Sequence, residues 1–140
     1  MLFRSARVSL AYESPVRGIA TSGWRGRSQS LGIADAVTVL AGSAAIADAA
    51  ATLIANDVNV DYPGILKRPA SEVKDESDLG MLPVTVDVPP LPVDQISEAL
   101  KRGAQTAGNF IRTGKIEAAY LSLQKQTLVV ENNLKKESNE

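Results

Sequence analysis

The clearest signal along the chain is a short β-branched run at 36–40, Ala-Val-Thr-Val-Leu, which predicts a buried strand. Gly42 and Ser43 interrupt the chain after it, and Ser43 is a suitable N-cap for a helix over 44–57. On a helical wheel Ile46, Ala50, Leu53 and Ile54 share one side with Asp57, and that side is predicted to face the core. A second run, Val-Thr-Val-Asp-Val at 84–88, predicts another buried strand, ended by Pro89, Pro90 and Pro92. Asp94 can cap a helix over 95–112 whose apolar face is Ile96, Leu100, Ala104, Ala107 and Ile111, with Phe110 beside it. Gly114 then fits the residue just past the helix end. Segments 116–123 and 127–130 predict a closing pair of strands, and the polar tail 131–140 is predicted to fray.

The rest of the chain is less regular. Residues 3–12 alternate imperfectly and predict a weak strand, and 17–22 a short one. Residues 59–83 have no periodicity, contain Pro63, Pro69 and Pro83 and carry the acids Glu72, Asp75, Glu76 and Asp78, so they are expected to form a long loop. The fold class that results is α+β, a mixed domain of strands packed with two main helices. The brief apolar strands resemble those of parallel sheets, which need cover on both faces.

Composition narrows the chemistry. The chain has no cysteine and no histidine, which removes disulfides, thiolate sites and His-dependent triads, and makes zinc a poor fit. Oxygen-ligand chemistry remains, and it suits Mg or Ca. Lys and Arg number 15 against 16 Asp and Glu, so the net charge of −1 provides no overall attraction to nucleic acid or an anionic membrane, and neither is expected as a partner. No apolar run approaches a membrane span, and a cytoplasmic location is the default expectation.

Two segments could carry chemistry. Thr21-Ser22-Gly23-Trp24-Arg25-Gly26-Arg27-Ser28 is a glycine-punctuated basic turn. Its freed amides, hydroxyls and guanidinium forks could cradle phosphate or pyrophosphate, and Trp24 could stack on a ring. The same residues could equally make a solvated turn with arginines facing water. Asp48 and Thr52 stand one helical turn apart, so carboxylate and hydroxyl can face one spot, with Asn56 extending the stripe. They would give a partial Mg shell, or simply the polar side of an amphipathic helix.

The string ATSGWRGRSQSLGIADAVTVLAGSAAIADAAATLIAN, 20–56, resembles the ApbE-like superfamily, and in particular its small uncharacterised branch. That branch continues with an RPAS element, here 68–71, and an SDLG element, here 77–80; the resemblance covers roughly 15–130. It implies descent from Mg-dependent FAD:protein FMN transferases, which split FAD at its pyrophosphate. It implies Mg and FAD as cofactors, with Asp48 and Thr52 matching the family's D-x-x-x-T metal pattern and Ala20 to Gly23 its A-T-S-G segment. Classical members carry a His shortly after that segment, where the nearest position here is Gln29. They also have an N-terminal half with no counterpart before Ser14. The resemblance therefore implies a single partial domain over 1–130, followed by the 131–140 tail. It further implies a homo-oligomer, or a partner chain that supplies the missing half. The alternative function is a non-catalytic remnant that binds or oligomerises.

Overall fold

The computed structural model describes residues 2–3, 6–7, 14–26, 29–75 and 77–132. Its order is β1 (Leu2–Phe3), β2 (Ala6–Arg7), β3 (Gly18–Ser22), β4 (Ala36–Ala41), α1 (Ala44–Asp57), β5 (Leu66–Pro69), α2 (Ala70–Val73), β6 (Pro83–Asp87), α3 (Val93–Arg112), β7 (Ile116–Leu123) and β8 (Gln126–Glu131). The fold is α+β. Four strands form one sheet in the order β3-β4-β7-β8, while β5-β6 and β1-β2 make separate two-stranded pairs. Every pairing is antiparallel, so the parallel character expected of β4 is not found.

Helices α1 and α3 lie side by side on one face of the main sheet. Val37, Val39 and Ala41 of β4, with Ala119, Leu121 and Leu123 of β7, point into the core beneath them. Leu128 and Val130 of β8 pack at its margin. The strands obey the period-2 rule: Leu40 and Ala118 point the other way and form a small cluster with Val16.

The buried face of α1 differs from the one predicted. Ala47, Ala50, Ala51, Ile54 and Ala55 are buried, whereas Ile46 and Leu53 are about half exposed at 46% and 51%. Small side chains let the helix lie close to β3 and β4. Ser43 caps α1 as expected, its hydroxyl accepting from the Ile46 amide at 3.2 Å.

Helix α3 starts at Val93 behind Pro92, and no side chain caps it, so Asp94 falls in the first turn instead. It buries Ile96, Ala99, Leu100, Gly103 and Ala107; the predicted Ala104 and Ile111 are only partly buried. Gly103 marks the crossing of the two helices, since a Cβ there would lie 2.3 Å from Val58 Cγ2 and 2.9 Å from Leu121 Cδ2. Gly108 faces no such constraint, only the end of the Arg112 side chain. At the C-terminus Gly114 has φ +74°, its amide donates to Ile111 O, and Lys115 N donates to Phe110 O. That is a Schellman end, which a residue free to take positive φ permits.

Two further expectations change. Segment 59–83 holds β5 and α2, and its hairpin with β6 lies outside the main sheet. The weak strand expected over 3–12 is two short strands, β1 and β2, with 8–13 outside the described residues. Residues 133–140 of the polar tail are likewise outside them.

Candidate functional site

The basic turn leaves β3 at Ser22. A Cβ on Gly23 would sit 2.4 Å from Asp35 O, so only glycine lets the chain pass this close to the start of β4. Trp24 N then donates to Ala34 O at 3.1 Å, and Gly26 N to Gly23 O at 3.3 Å. Two of the amides that could form an anion nest are thus used within the chain. Arg25 lies over the Trp24 ring, 5.0 Å from its centroid, and its Nε is 3.5 Å from Asp35 Oδ1. Asp35 Oδ2 in turn accepts from Gln124 N at 2.8 Å, which ties the turn to the β7–β8 hairpin. Arg25 is therefore partly engaged by the protein, though largely exposed. Thr21 is exposed and shares a hydrogen bond of 2.8 Å with Thr38. Arg27 and Ser28 lie outside the described residues.

Ser22 Oγ and Trp24 Nε1 are buried without a hydrogen-bond partner. Each such group costs about 1–3 kcal/mol. Both atoms are closed off from solvent, so neither meets a ligand in this conformation.

A cavity of about 370 Å³ opens beside the turn. Trp24, Gly26 and Gln29 line it together with Val73, Lys74, Val84, Thr85 and Val86. Gln29 is held by two bonds: its Nε2 donates to Ala70 O at 3.1 Å, and its Oε1 accepts from the Ser77 hydroxyl. Ser71 N donates to Gly80 O at 2.8 Å. Gln29, itself a lining residue, thus links the cavity to two segments distant in sequence, 68–71 through Ala70 and 77–80 through Ser77, although neither segment lines it. Thr85 secures β6 beneath it, donating through Oγ1 to Gly32 O at 2.6 Å and through its amide to Ser30 O at 2.9 Å.

The stripe on α1 stands apart. Asp48 is exposed and Thr52 half-buried, and the Thr52 hydroxyl donates to the Asp48 backbone carbonyl at 3.0 Å. Neither residue lines the cavity. Asn56 does not continue the stripe outward: its Oδ1 accepts from Leu31 N at 3.0 Å and Ser30 Oγ at 3.3 Å, pinning the segment that follows the basic turn. Among the described residues no three acidic, His or Cys side chains cluster as a ready metal cage. Asp48 and Thr52 offer two oxygen donors, a partial shell of the kind Mg completes with phosphate and water.

The chain matches the family described as AbpE bacteria over residues 3–131, nearly its whole length. It belongs to that family. No curated protein and no solved structure matches it.

In this AbpE member most of the residues that sequence reasoning missed lie in 59–86. Val73 and Lys74 sit in a segment without periodicity, where no local pattern marked them, and Thr85 was read only as part of the strand at 84–88. Asp35 was missed as the partner of Arg25; the signal available was an acid just before a confident strand. A second cavity, of about 460 Å³, is lined by residues that include Asn59, Asp61, Lys67 and Arg102. Its cations already serve the protein: Lys67 Nζ donates to Leu31 O at 2.6 Å, and Arg102 reaches Glu98 and Asn59 O. Burial lowers the Lys67 pKa below the usual lysine range, and the nearby Asp61 partly offsets that. Among the described residues no helix is long and apolar enough to cross a membrane.

Proposed function

We propose that this chain is an ApbE-like flavin-nucleotide-binding protein, descended from Mg-dependent enzymes that cleave FAD at its pyrophosphate and transfer FMN. The observation that carries this reading is that Trp24, Gly26 and Gln29 of the basic turn region line the 370 Å³ cavity, and that Gln29 also bonds Ala70 and Ser77 of the two later motif segments. The basic turn, with Arg25 at its surface, would face the nucleotide phosphates. Asp48 and Thr52 would hold Mg, whose chemistry is to neutralise charge on phosphate oxygens.

Equilibrium binding of FAD, FMN and ADP with and without Mg tests the reading. Mg should tighten nucleotide binding and nucleotide should tighten Mg binding by the same factor. Asp48→Asn should remove this mutual gain without unfolding an exposed helix face. Equal affinities with and without Mg, or an undiminished Mg effect in the variant, would count against the metal assignment.

A second reading is favoured by exposed apolar side chains. Ile46 and Leu53 lie on α1, and Met81 is 74% exposed. They support association with another copy or another chain, and thus a binding or oligomerising role. Light scattering at tens of micromolar (roughly the usual working range) should show a species larger than one chain. A well-folded monomer would contradict that role.

A further inference from the structure

We infer that the Trp24 cavity selects a planar aromatic ligand of mononucleotide size bearing one anionic group, and that Lys74 is the residue that holds the anion. The inference deepens the proposed function, because it names which part of a flavin nucleotide this cavity takes.

The walls decide the ligand's body. Val73 and Val86 line the cavity together with Trp24, the chain's single tryptophan, and Val84 is buried in its wall. One face of that indole already carries the Arg25 guanidinium, so a ligand ring has only its remaining surface. Apolar and aromatic walls with few polar groups are what a flat ring needs. A volume of about 370 Å³ lies near the lower end of ligand cavities, about 300–1,000 Å³. It suits a ring with one short substituent better than a dinucleotide.

The polar groups decide the charge. Gln29 is uncharged, and it already donates to Ala70 O and accepts from Ser77. The Thr85 hydroxyl is given to Gly32 O. Lys74 differs from both: it is exposed, it follows α2 directly, and its ammonium has no ion pair or hydrogen bond among the described residues. Among the described residues it is the only one with a charged side chain that lines the cavity. An exposed ammonium beside an indole and valine side chains can anchor a phosphate or carboxylate. The 460 Å³ cavity offers a contrast, since Lys67 and Arg102 there are bonded to the protein's own oxygens.

The test uses the full chain and its sole Trp24 as fluorophore. Riboflavin, FMN, FAD and AMP are titrated against the wild type, Lys74→Ala, Lys74→Arg and Lys74→Glu. FMN should bind about tenfold more tightly than riboflavin, the size of one charge-assisted contact. FAD should bind no more tightly than FMN. Lys74→Ala should bring the FMN-to-riboflavin ratio to about one, Lys74→Arg should keep it above one, and Lys74→Glu should invert it (each follows from the sign of one exposed charge). An FMN preference that survives Lys74→Ala, or FAD much tighter than FMN, overturns the inference and leaves flavin binding standing. AMP binding that depends on Lys74, with no flavin bound, overturns the flavin reading and leaves Lys74 as the anchor. No quenching by any ligand overturns both.

Discussion

The two parts of this molecule are held together by different forces. Helices α1 and α3 sit on the four-stranded sheet through apolar contact: Ile54, Val58, Val37, Leu121 and Leu123 are all fully buried. The β5–α2–β6 unit instead hangs on polar bonds to the segment after the basic turn. Thr85 bonds Gly32 and Ser30, Gln29 bonds Ala70 and Ser77, and Lys67 bonds Leu31. Apolar packing is cooperative and hard to release in part, whereas a few hydrogen bonds of about 0.5–1.5 kcal/mol each can open locally. The candidate cavity lies on the seam between these two parts. A scaffold that stays closed beside a unit that can move is an arrangement suited to admitting a ligand.

Substitutions can break this contrast, beginning with the largest effect. A Cβ at Gly32 would lie 2.0 Å from Ala55 O and within 3 Å of the Val58 and Asn56 carbonyls, all backbone. Gly32→Ala should therefore destabilise the whole domain by about 3 kcal/mol or more, since overpacked backbone cannot step aside. Thermal unfolding should then fall by roughly 10 °C. A change of only a degree or two would show that the 29–33 segment is not clamped to the end of α1. Ile54→Ala acts on the same layer by leaving a cavity, at about 2–5 kcal/mol. It should raise amide exchange throughout α1, α3 and the main sheet together.

Gln29→Ala should act differently. It removes bonds to Ala70 and Ser77 only, at about 1 kcal/mol. Hydrogen exchange should accelerate over 70–82 while the thermal midpoint barely moves. Uniform acceleration across the molecule would dissolve the distinction between the two parts.

The smallest effect is a pH slope. Burial lowers the Lys67 pKa, so the unfolded chain holds this proton at alkaline pH where the folded one has released it. Its contribution to stability is present above the ordinary lysine pKa and is lost as pH falls through the folded value. Wild type should thus gain on Lys67→Met as pH rises from the folded value toward the ordinary one. Tyr120, whose pKa is raised by burial and by Glu131, acts with the opposite sign above the ordinary tyrosine value. It is common to both proteins and cancels in the comparison. Parallel stability curves would show Lys67 to be as solvated as a surface lysine.

The same division explains what could be read from sequence. Strand β4, the Ser43 cap and the Gly114 helix end were legible because each depends on neighbouring residues. The face of α1 was misjudged because it is apolar nearly all round. Ile46 and Leu53 drew the prediction by size, while contact with β3 requires the alanines. Strand β5 and helix α2 were read as loop because their order depends on distant partners, Gln29 and Leu31, whereas β6 was legible as the apolar run 84–88. For the same reason the basic turn could be named as a candidate, but not Val73 and Lys74, which line the cavity with it. The Asp48–Thr52 pair was visible from helical spacing alone, and the structure keeps it outside the cavity.

The central claim is that the seam between the two parts is where the ligand binds. Hydrogen exchange with and without saturating FMN tests it most directly. The account predicts protection confined to 23–30 and 70–86, with α3 and β8 unchanged. Protection spread over the α1–α3 layer, or absent from both seam segments while FMN is bound, would contradict it.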